Sequence, residues 1–182
     1  MTKRVFIIHG WESEPNAGWQ PWLNNELSSR GFVVRTPAMP NPAHPKLYRW
    51  VEELHKMVGT PDRDCHFVGH SLGCAAILRY VESLPEGSHT GNLVLVAGFM
   101  EDLGIPAVAE FVNTPFNDEK INDRAATIYS IHSDADPYIS NDKFQRLDTV
   151  FRTKKIIVKG GGHLSGSNGW YQLPEALKTL GG

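Results

Sequence analysis

The sequence has no long hydrophobic run and no block of like charge. The apolar run at residues 5–8 is four residues long, whereas a secretory signal needs about 7–15 apolar residues and a membrane span about 20. The 18 lysines and arginines are scattered and face 20 acidic residues, for a formal net charge of -2. Nucleic-acid binding needs clustered positive charge. We therefore expect a cytoplasmic protein that binds neither a membrane nor nucleic acid.

Cysteine is scarce as well. The chain has two, Cys65 and Cys74, and their spacing matches neither a metal site nor a redox motif. Histidines and carboxylates do not cluster at metal-ligand spacing either. We expect two small buried cysteine side chains and no bound metal.

What the sequence does contain is an alternation of short apolar runs with helical patterns. Runs typical of buried strands lie at residues 5–8, 32–34, 65–68, 92–97, 126–131 and 155–158. Apolar residues recur at helical spacing between most of these runs, for example at Leu47, Val51, Leu54 and Val58. The pattern predicts a single α/β domain over residues 1–182, with about six mostly parallel strands and helices on both faces of the sheet.

Two segments interrupt this alternation. Residues 36–45 carry four prolines, which exclude a regular helix or a central strand and predict a loop. Residues 99–124 hold Pro106 and Pro115 and have poor periodicity. We interpret this second segment as a short lid-like insertion over one edge of the sheet.

The stretch GHSLG, residues 69–73, follows a strand candidate and precedes a mostly apolar helix candidate. This is the context of a nucleophile elbow, in which a serine sits on a sharp turn with its hydroxyl clear of the sheet. Glycines on either side are needed because larger side chains would collide with the neighbouring strand and helix. The pattern predicts Ser71 as a nucleophile.

A serine nucleophile needs a base and an acid, which follow it in this architecture on loops after later strands. Of the eight histidines, His132 and His163 lie beyond Ser71 at the end of a strand candidate. His132 stands where the acid is expected, whereas His163 follows three glycines that let the backbone turn back over the strand ends. We predict His163 as the base.

The acid is expected in HSDADPYIS, residues 132–140. Both Asp134 and Asp136 lie past the strand end. Asp136 precedes Pro137, which holds it extended and aims its carboxylate. We predict Asp136 as the acid, with Asp134 as the alternative.

An oxyanion hole needs two backbone N–H groups near the serine. Leu72 follows the nucleophile at a helix start, and Trp11 lies on the loop after the first strand. We expect these two to hold the oxyanion and His9 to hydrogen-bond loop backbone. The predicted substrate pocket comprises His9, Gly10, Trp11, Met39, His70, Phe99 and Met100.

Together these motifs resemble the α/β-hydrolase superfamily. The likeness rests on VFIIHG at residues 5–10, GHSLG, SDADP at residues 133–137 and GGGH at residues 160–163. The short length and the insertion at residues 98–123 are similar to the small serine hydrolases of the retinoblastoma-binding protein 9 family. The resemblance implies a compact sheet without a large cap, a Ser71–His163–Asp136 triad, and action on small esters and sometimes aminoacyl compounds.

The leading hypothesis is therefore a serine hydrolase that cleaves small carboxylic esters, or amides, without a cofactor. A catalytically idle protein-interaction module of the same fold and a small serine peptidase are the alternatives. The expected partner is a small-molecule substrate. A protein partner stays open, with no feature of the sequence that supports one.

Overall fold

The computed structural model describes residues 3–181 and contains one sheet of six strands. The strands are β1 (Arg4–Ile8), β2 (Val33–Arg35), β3 (Cys65–His70), β4 (Leu93–Val96), β5 (Ile128–Ser133) and β6 (Lys154–Val158). All five strand pairs are parallel. Each of the six apolar runs in the sequence thus forms a strand, as predicted.

Helices connect the strands. They are α1 (Gln20–Ser29), α2 (Leu47–Val58), α3 (Leu72–Ser83), α4 (Pro106–Ala109), α5 (Asp118–Arg124), α6 (Asn141–Val150) and α7 (Pro174–Lys178). The four longest match the helical patterns in the sequence. The other three have four to seven residues, which is too short for an apolar periodicity to be seen. None of the helices within residues 3–181 has the length and apolar character needed to cross a membrane.

The strand order β2-β1-β3-β4-β5-β6 determines where a site can form. The chain moves outward from β1 to β2 and then returns to place β3 on the other side of β1. Open parallel sheets bind ligands at such a reversal, beyond the carboxyl ends of the strands. The loops after β1 and β3, which carry Gly10 and Ser71, meet at this point.

Apolar side chains cover both faces of the sheet. Phe6 and Ile8 of β1 belong to one buried cluster with α2 and α3, whereas Val5 and Ile7 belong to a second cluster with α1 and α7. Successive side chains of a strand point to opposite faces. Both faces of β1 are therefore buried, which explains its unbroken apolar run.

The insertion at residues 99–124 is tied to the helix behind the nucleophile. The guanidinium of Arg79 in α3 donates hydrogen bonds to the carbonyl oxygens of Phe111 and Thr114 and pairs with Glu82 at 2.8 Å. It also lies over the ring of Phe116, 3.7 Å from the centroid. These contacts hold the segment as a wall beside the carboxyl ends of the strands.

Candidate active site

Ser71 occupies a strained turn between β3 and α3. Its backbone angles are φ 53° and ψ -117°, a region that L-residues rarely adopt and that costs about 1–3 kcal/mol. The strand and helix hold it there, because the Ser71 N–H donates to Val96 O at 2.9 Å and Ser71 O accepts from the Cys74 N–H at 3.0 Å. The turn directs the side chain beyond the sheet.

The glycines of GHSLG are required by close backbone contacts. A Cβ on Gly69 would lie 2.7 Å from the backbone nitrogen of Cys74. A Cβ on Gly73 would overlap the carbonyl oxygen of Ile8 in the neighbouring strand. Both positions therefore exclude any side chain, as the elbow interpretation requires.

The loop that carries His163 is held by side chains from several elements. The indole N–H groups of Trp19 and Trp170 donate to the carbonyl oxygens of Leu164 and Gly161 at 2.9 and 2.8 Å. The His163 N–H itself donates to Asn168 Oδ1 at 3.0 Å. A loop rich in glycine thus has a defined position.

Asp136 is the carboxylate that reaches His163. Its Oδ2 lies 2.8 Å from His163 Nδ1, and its side chain has no exposed surface. Its Oδ1 accepts hydrogen bonds from the N–H groups of Tyr138 and Ile139 at 2.9 and 3.1 Å. Asp134 instead accepts from the Gly160 N–H at 2.7 Å and is exposed. The contact favours Asp136 over Asp134 as partner of the imidazole.

Ser71 and His163 line the same cavity, which has a volume of about 370 Å³. The Ser71 hydroxyl makes no hydrogen bond to His163 among the contacts of residues 3–181. Catalytic hydrogen bonds are often long before substrate binds and tighten in the reacting complex.

The cavity is lined by apolar and by polar residues. Phe99, Leu103, Ile105 and Val108, all from residues 99–124, form an apolar part of the lining. The remaining lining residues are Gly10, Trp11, Glu12, Ser13, Ala17, His70, Tyr138, Ser165, Gly166 and Ser167. The lining can accommodate a small molecule with an apolar group.

Of the predicted pocket residues, Gly10, Trp11, His70 and Phe99 line this cavity. His9, Met39 and Met100 do not. Met39 is 2% exposed and packs in the core, whereas Met100 lines a separate surface groove beside Glu101 and Arg146. The structure places these three residues outside the cavity, because the position of a loop in the sequence does not show which way its side chains point.

Further lining residues escaped the sequence prediction. Leu103, Ile105 and Val108 lie in a segment without periodicity. Tyr138 follows the predicted acid Asp136 by two positions, which is a signal in the sequence, and its ring contacts His163 edge-on at 4.9 Å between centroids. Ser165 follows His163 by two positions in the same way.

His9 supports the loop after β1. Its Nδ1 donates to Gly10 O at 2.9 Å and its Nε2 accepts from the Met39 N–H at 3.0 Å. Burial lowers the pKa of His9 below its usual value, so the ring stays neutral and keeps both hydrogen bonds. His9 thus bonds loop backbone, as the sequence predicted, and connects the loop after β1 to the proline-rich loop.

The proline-rich loop at residues 36–45 supports the same region. The Glu12 N–H donates to Pro42 O at 3.0 Å, and the indole of Trp11 donates to Ala43 O at 3.2 Å. The loop itself is held by the indole of Trp50, which donates to Pro40 O at 2.8 Å. The backbone around Trp11, the predicted oxyanion donor, is therefore fixed by a segment far from it in sequence.

Other reactive residues lie away from the cavity. His132 of β5 lies beside Asp148 of α6, with 3.4 Å between Nε2 and Oδ2. Cys65 and Cys74 are free and buried, as predicted, and burial raises the pKa of Cys65 to about 12. Within residues 3–181 no group of three histidine, cysteine, aspartate or glutamate residues is placed to hold a metal ion.

The comparison with known families identifies one match. A family model described as serine hydrolase matches residues 5–181, which is almost the whole chain. The matched range includes the GHSLG turn, the loop that carries Asp136 and the loop that carries His163.

Individual relatives agree with this match. The chain is 35% identical over 185 residues to the hydrolase YdeN of Bacillus subtilis (strain 168), covering 99% of this chain and 95% of that protein. It is 25% identical to the serine hydrolase RBBP9 of Rattus norvegicus, covering 98% and 95%. The crystal structure of the B. subtilis ydeN gene product superimposes with a TM-score of 0.94 at 32% identity, over 98% of this chain and 97% of that one.

Proposed function

The chain belongs to the serine hydrolase family and is an enzyme, and on that premise we propose that it hydrolyses small carboxylic esters through an acyl-enzyme formed at Ser71. One observation carries the proposal. Ser71, on its strained turn, opens into the same cavity as an imidazole that is hydrogen-bonded to a buried carboxylate.

The proton transfers follow from the positions of the two partners. Neutral His163 accepts the proton of the Ser71 hydroxyl as the oxygen attacks the ester carbonyl. The Asp136 carboxylate, 2.8 Å from Nδ1, keeps the proton on that nitrogen so that Nε2 is free to act as the base, and it stabilises the imidazolium that forms. The imidazolium then protonates the leaving alcohol.

Water completes the reaction. It attacks the acyl-enzyme while His163 takes one of its protons. The bond between the acyl carbon and the Ser71 oxygen then breaks, His163 returns the proton to that oxygen, and the acid is released. Apart from the ester and water, these steps use only groups of the chain, so the proposal includes no metal and no organic cofactor.

Two backbone N–H groups are proposed to hold the oxyanion. Leu72 is the first residue of α3, where N–H groups have no partner within the helix and the dipole favours negative charge. Trp11 provides the second N–H from the loop after β1. A donor of this kind contributes about 2.7–4 kcal/mol to lowering the barrier.

The cavity restricts the size of the substrate. Its volume of about 370 Å³ is at the low end of the range of about 300–1,000 Å³ for ligand pockets. The apolar part of its lining, formed by Phe99, Leu103, Ile105 and Val108, suits a short acyl chain. We therefore propose short-chain esters as substrates.

Ester turnover by matched variants tests the proposal. Ser71→Ala should abolish hydrolysis of p-nitrophenyl acetate, and Asp136→Asn should lower kcat by up to about 10⁴-fold because the imidazole takes the wrong tautomer. Asp134→Asn is the control, since this carboxylate contacts Gly160 and not His163. Undiminished turnover by Ser71→Ala, or equal losses in the two aspartate variants, would contradict the assignment.

A further inference from the structure

The side chain that precedes the nucleophile contacts the loop that carries the base. His70 is the last residue of β3 and the neighbour of Ser71. Its Nε2 lies 2.9 Å from the backbone carbonyl oxygen of His163, 93 positions along the chain. We propose that His70 is a positioning residue whose hydrogen bond to this carbonyl fixes the distance between the nucleophile and the base.

The contact defines the tautomer of His70. A carbonyl oxygen only accepts hydrogen bonds, so Nε2 must carry the proton. Burial and the nearby His163 ring lower the pKa of His70 to about 4, so that the His70 ring is neutral near pH 7. A neutral His70 places no charge beside the imidazolium that forms on His163, whose ring centroid is 5.1 Å away.

The ring of His70 has little freedom to move. It is 8% exposed and packs edge-on against the indole of Trp19, at 6.0 Å between centroids. On another side is Gly10, where a Cβ would lie 3.6 Å from His70 Nδ1. The donor nitrogen is therefore held in one place relative to the end of β3.

This hydrogen bond differs from the other contacts that hold the histidine loop. Trp19 and Trp170 bind the carbonyl oxygens of Leu164 and Gly161, and Asn168 binds the N–H of His163 from within the same loop. His70 is covalently adjacent to Ser71, so its bond connects the two reacting residues through one side chain. The three glycines before His163 permit the loop to shift when this connection is lost, and a shift of about 1 Å at a reacting centre costs on the order of 100-fold in rate.

The test compares three variants of the full chain. His70→Leu removes the donor but keeps an apolar side chain, and His70→Gln retains a donor nitrogen at similar reach. His66→Leu is the matched control, because His66 is a buried histidine four positions earlier in β3 whose Nδ1 accepts from the Asn92 N–H. It removes a histidine from the same strand far from the cavity.

Because the proposal rests on the proposed ester hydrolysis, kinetics are one of two readouts. We expect His70→Leu to lower kcat for p-nitrophenyl acetate about 10- to 100-fold with KM changed less than about threefold. His70→Gln should recover most of that loss, and His66→Leu should keep kcat while lowering stability. A rise in KM without a fall in kcat, or an equal fall in kcat for His70→Leu and His66→Leu, would overturn the proposal.

The second readout does not depend on turnover. The proton between His163 Nδ1 and Asp136 gives a low-field signal in the proton NMR spectrum, which should move or broaden in His70→Leu and persist in His70→Gln and His66→Leu. An unchanged signal in His70→Leu would contradict the positioning role even if no ester is cleaved. If His70→Leu does not fold, His70→Asn, whose shorter amide does not reach the carbonyl, takes its place in both measurements.

Discussion

Replacing Ser71 by glycine should make the protein more stable. The serine has φ 53° and ψ -117°, and L-residues adopt this conformation only under strain, whereas glycine adopts it readily. The neighbouring hydrogen bonds of the Ser71 backbone to Val96 and Cys74 are made by main-chain atoms, so they survive the substitution. Ser71→Ala is the control, since alanine keeps the Cβ and hence the strain.

The magnitude follows from two opposing effects. Relief of strain at one residue contributes about 1–3 kcal/mol, and the extra freedom of glycine in the unfolded chain costs about 0.5–1 kcal/mol. The free energy of unfolding of Ser71→Gly should exceed that of Ser71→Ala by about 1 kcal/mol. For a chain of 182 residues this raises Tm by about 2–4 °C.

Thermal and urea unfolding of the two variants measure this difference. Neither variant has the proposed nucleophile, so a stability gain without activity would show that the strain at position 71 serves the reaction and not the fold. If Ser71→Gly is equal to or less stable than Ser71→Ala, the strained-turn explanation is wrong.

Three further predictions concern the structure around the site. Gly73→Ala should prevent folding, because the new Cβ overlaps the carbonyl oxygen of Ile8. Loss of a cooperative unfolding transition would show this, and a folded variant of normal stability would contradict the close contact. Arg79→Met should lower the free energy of unfolding by about 3 kcal/mol in urea titrations, since the buried carbonyl of Phe111 and the partly buried carbonyl of Thr114 lose their donor and Glu82 loses its cation; a change below about 1 kcal/mol would refute this. The pKa of His70 is lowered to about 4, and that of His9 is lowered as well. The folded protein therefore binds fewer protons than the unfolded chain between pH 6.5 and 4. Their contribution to the free energy of unfolding is fully present above pH 6.5 and is lost as the pH falls toward 4, by about 3 kcal/mol for His70. Urea titrations at pH 7 and 4.5 measure this fall, and an equally steep fall in His70→Gln would argue against His70 as its source.

The fold could be predicted from the sequence because each strand is covered on both faces. Residues 5–8 are apolar without interruption, and both faces of β1 are buried. The strand limits differ from the predicted ones by at most two residues; the third strand, for example, continues through Gly69 to His70. Gly69 and His70 do not continue the apolar run that predicts the strand, yet they pair with Leu95 and Val96 of β4.

The candidate site can be predicted where its residues lie close together along the sequence. Strand, turn and helix around Ser71 lie within a few positions of one another, so the elbow is visible in the sequence. The walls of the cavity are not local. Leu103, Ile105 and Val108 line it from a segment whose backbone is bound by Arg79 of another element, and no periodicity signals such a contact.

The proline-rich loop shows the same limit. Four prolines predicted a loop correctly, but its hydrogen bonds to Glu12 and Trp11 depend on how the chain returns past β1. Hydrogen bonds to backbone carbonyls place no demand on the residue type of the acceptor, so the sequence carries no sign of them. The bond from His70 to the carbonyl of His163 escaped prediction for this reason.

The most direct test of the proposed nucleophile is labelling of the folded protein with a fluorophosphonate, followed by mass spectrometry of its peptides. The account predicts a single adduct on Ser71 that is absent after denaturation and forms far more slowly in His163→Ala. No adduct on the folded protein, or an adduct on a different residue, would contradict it.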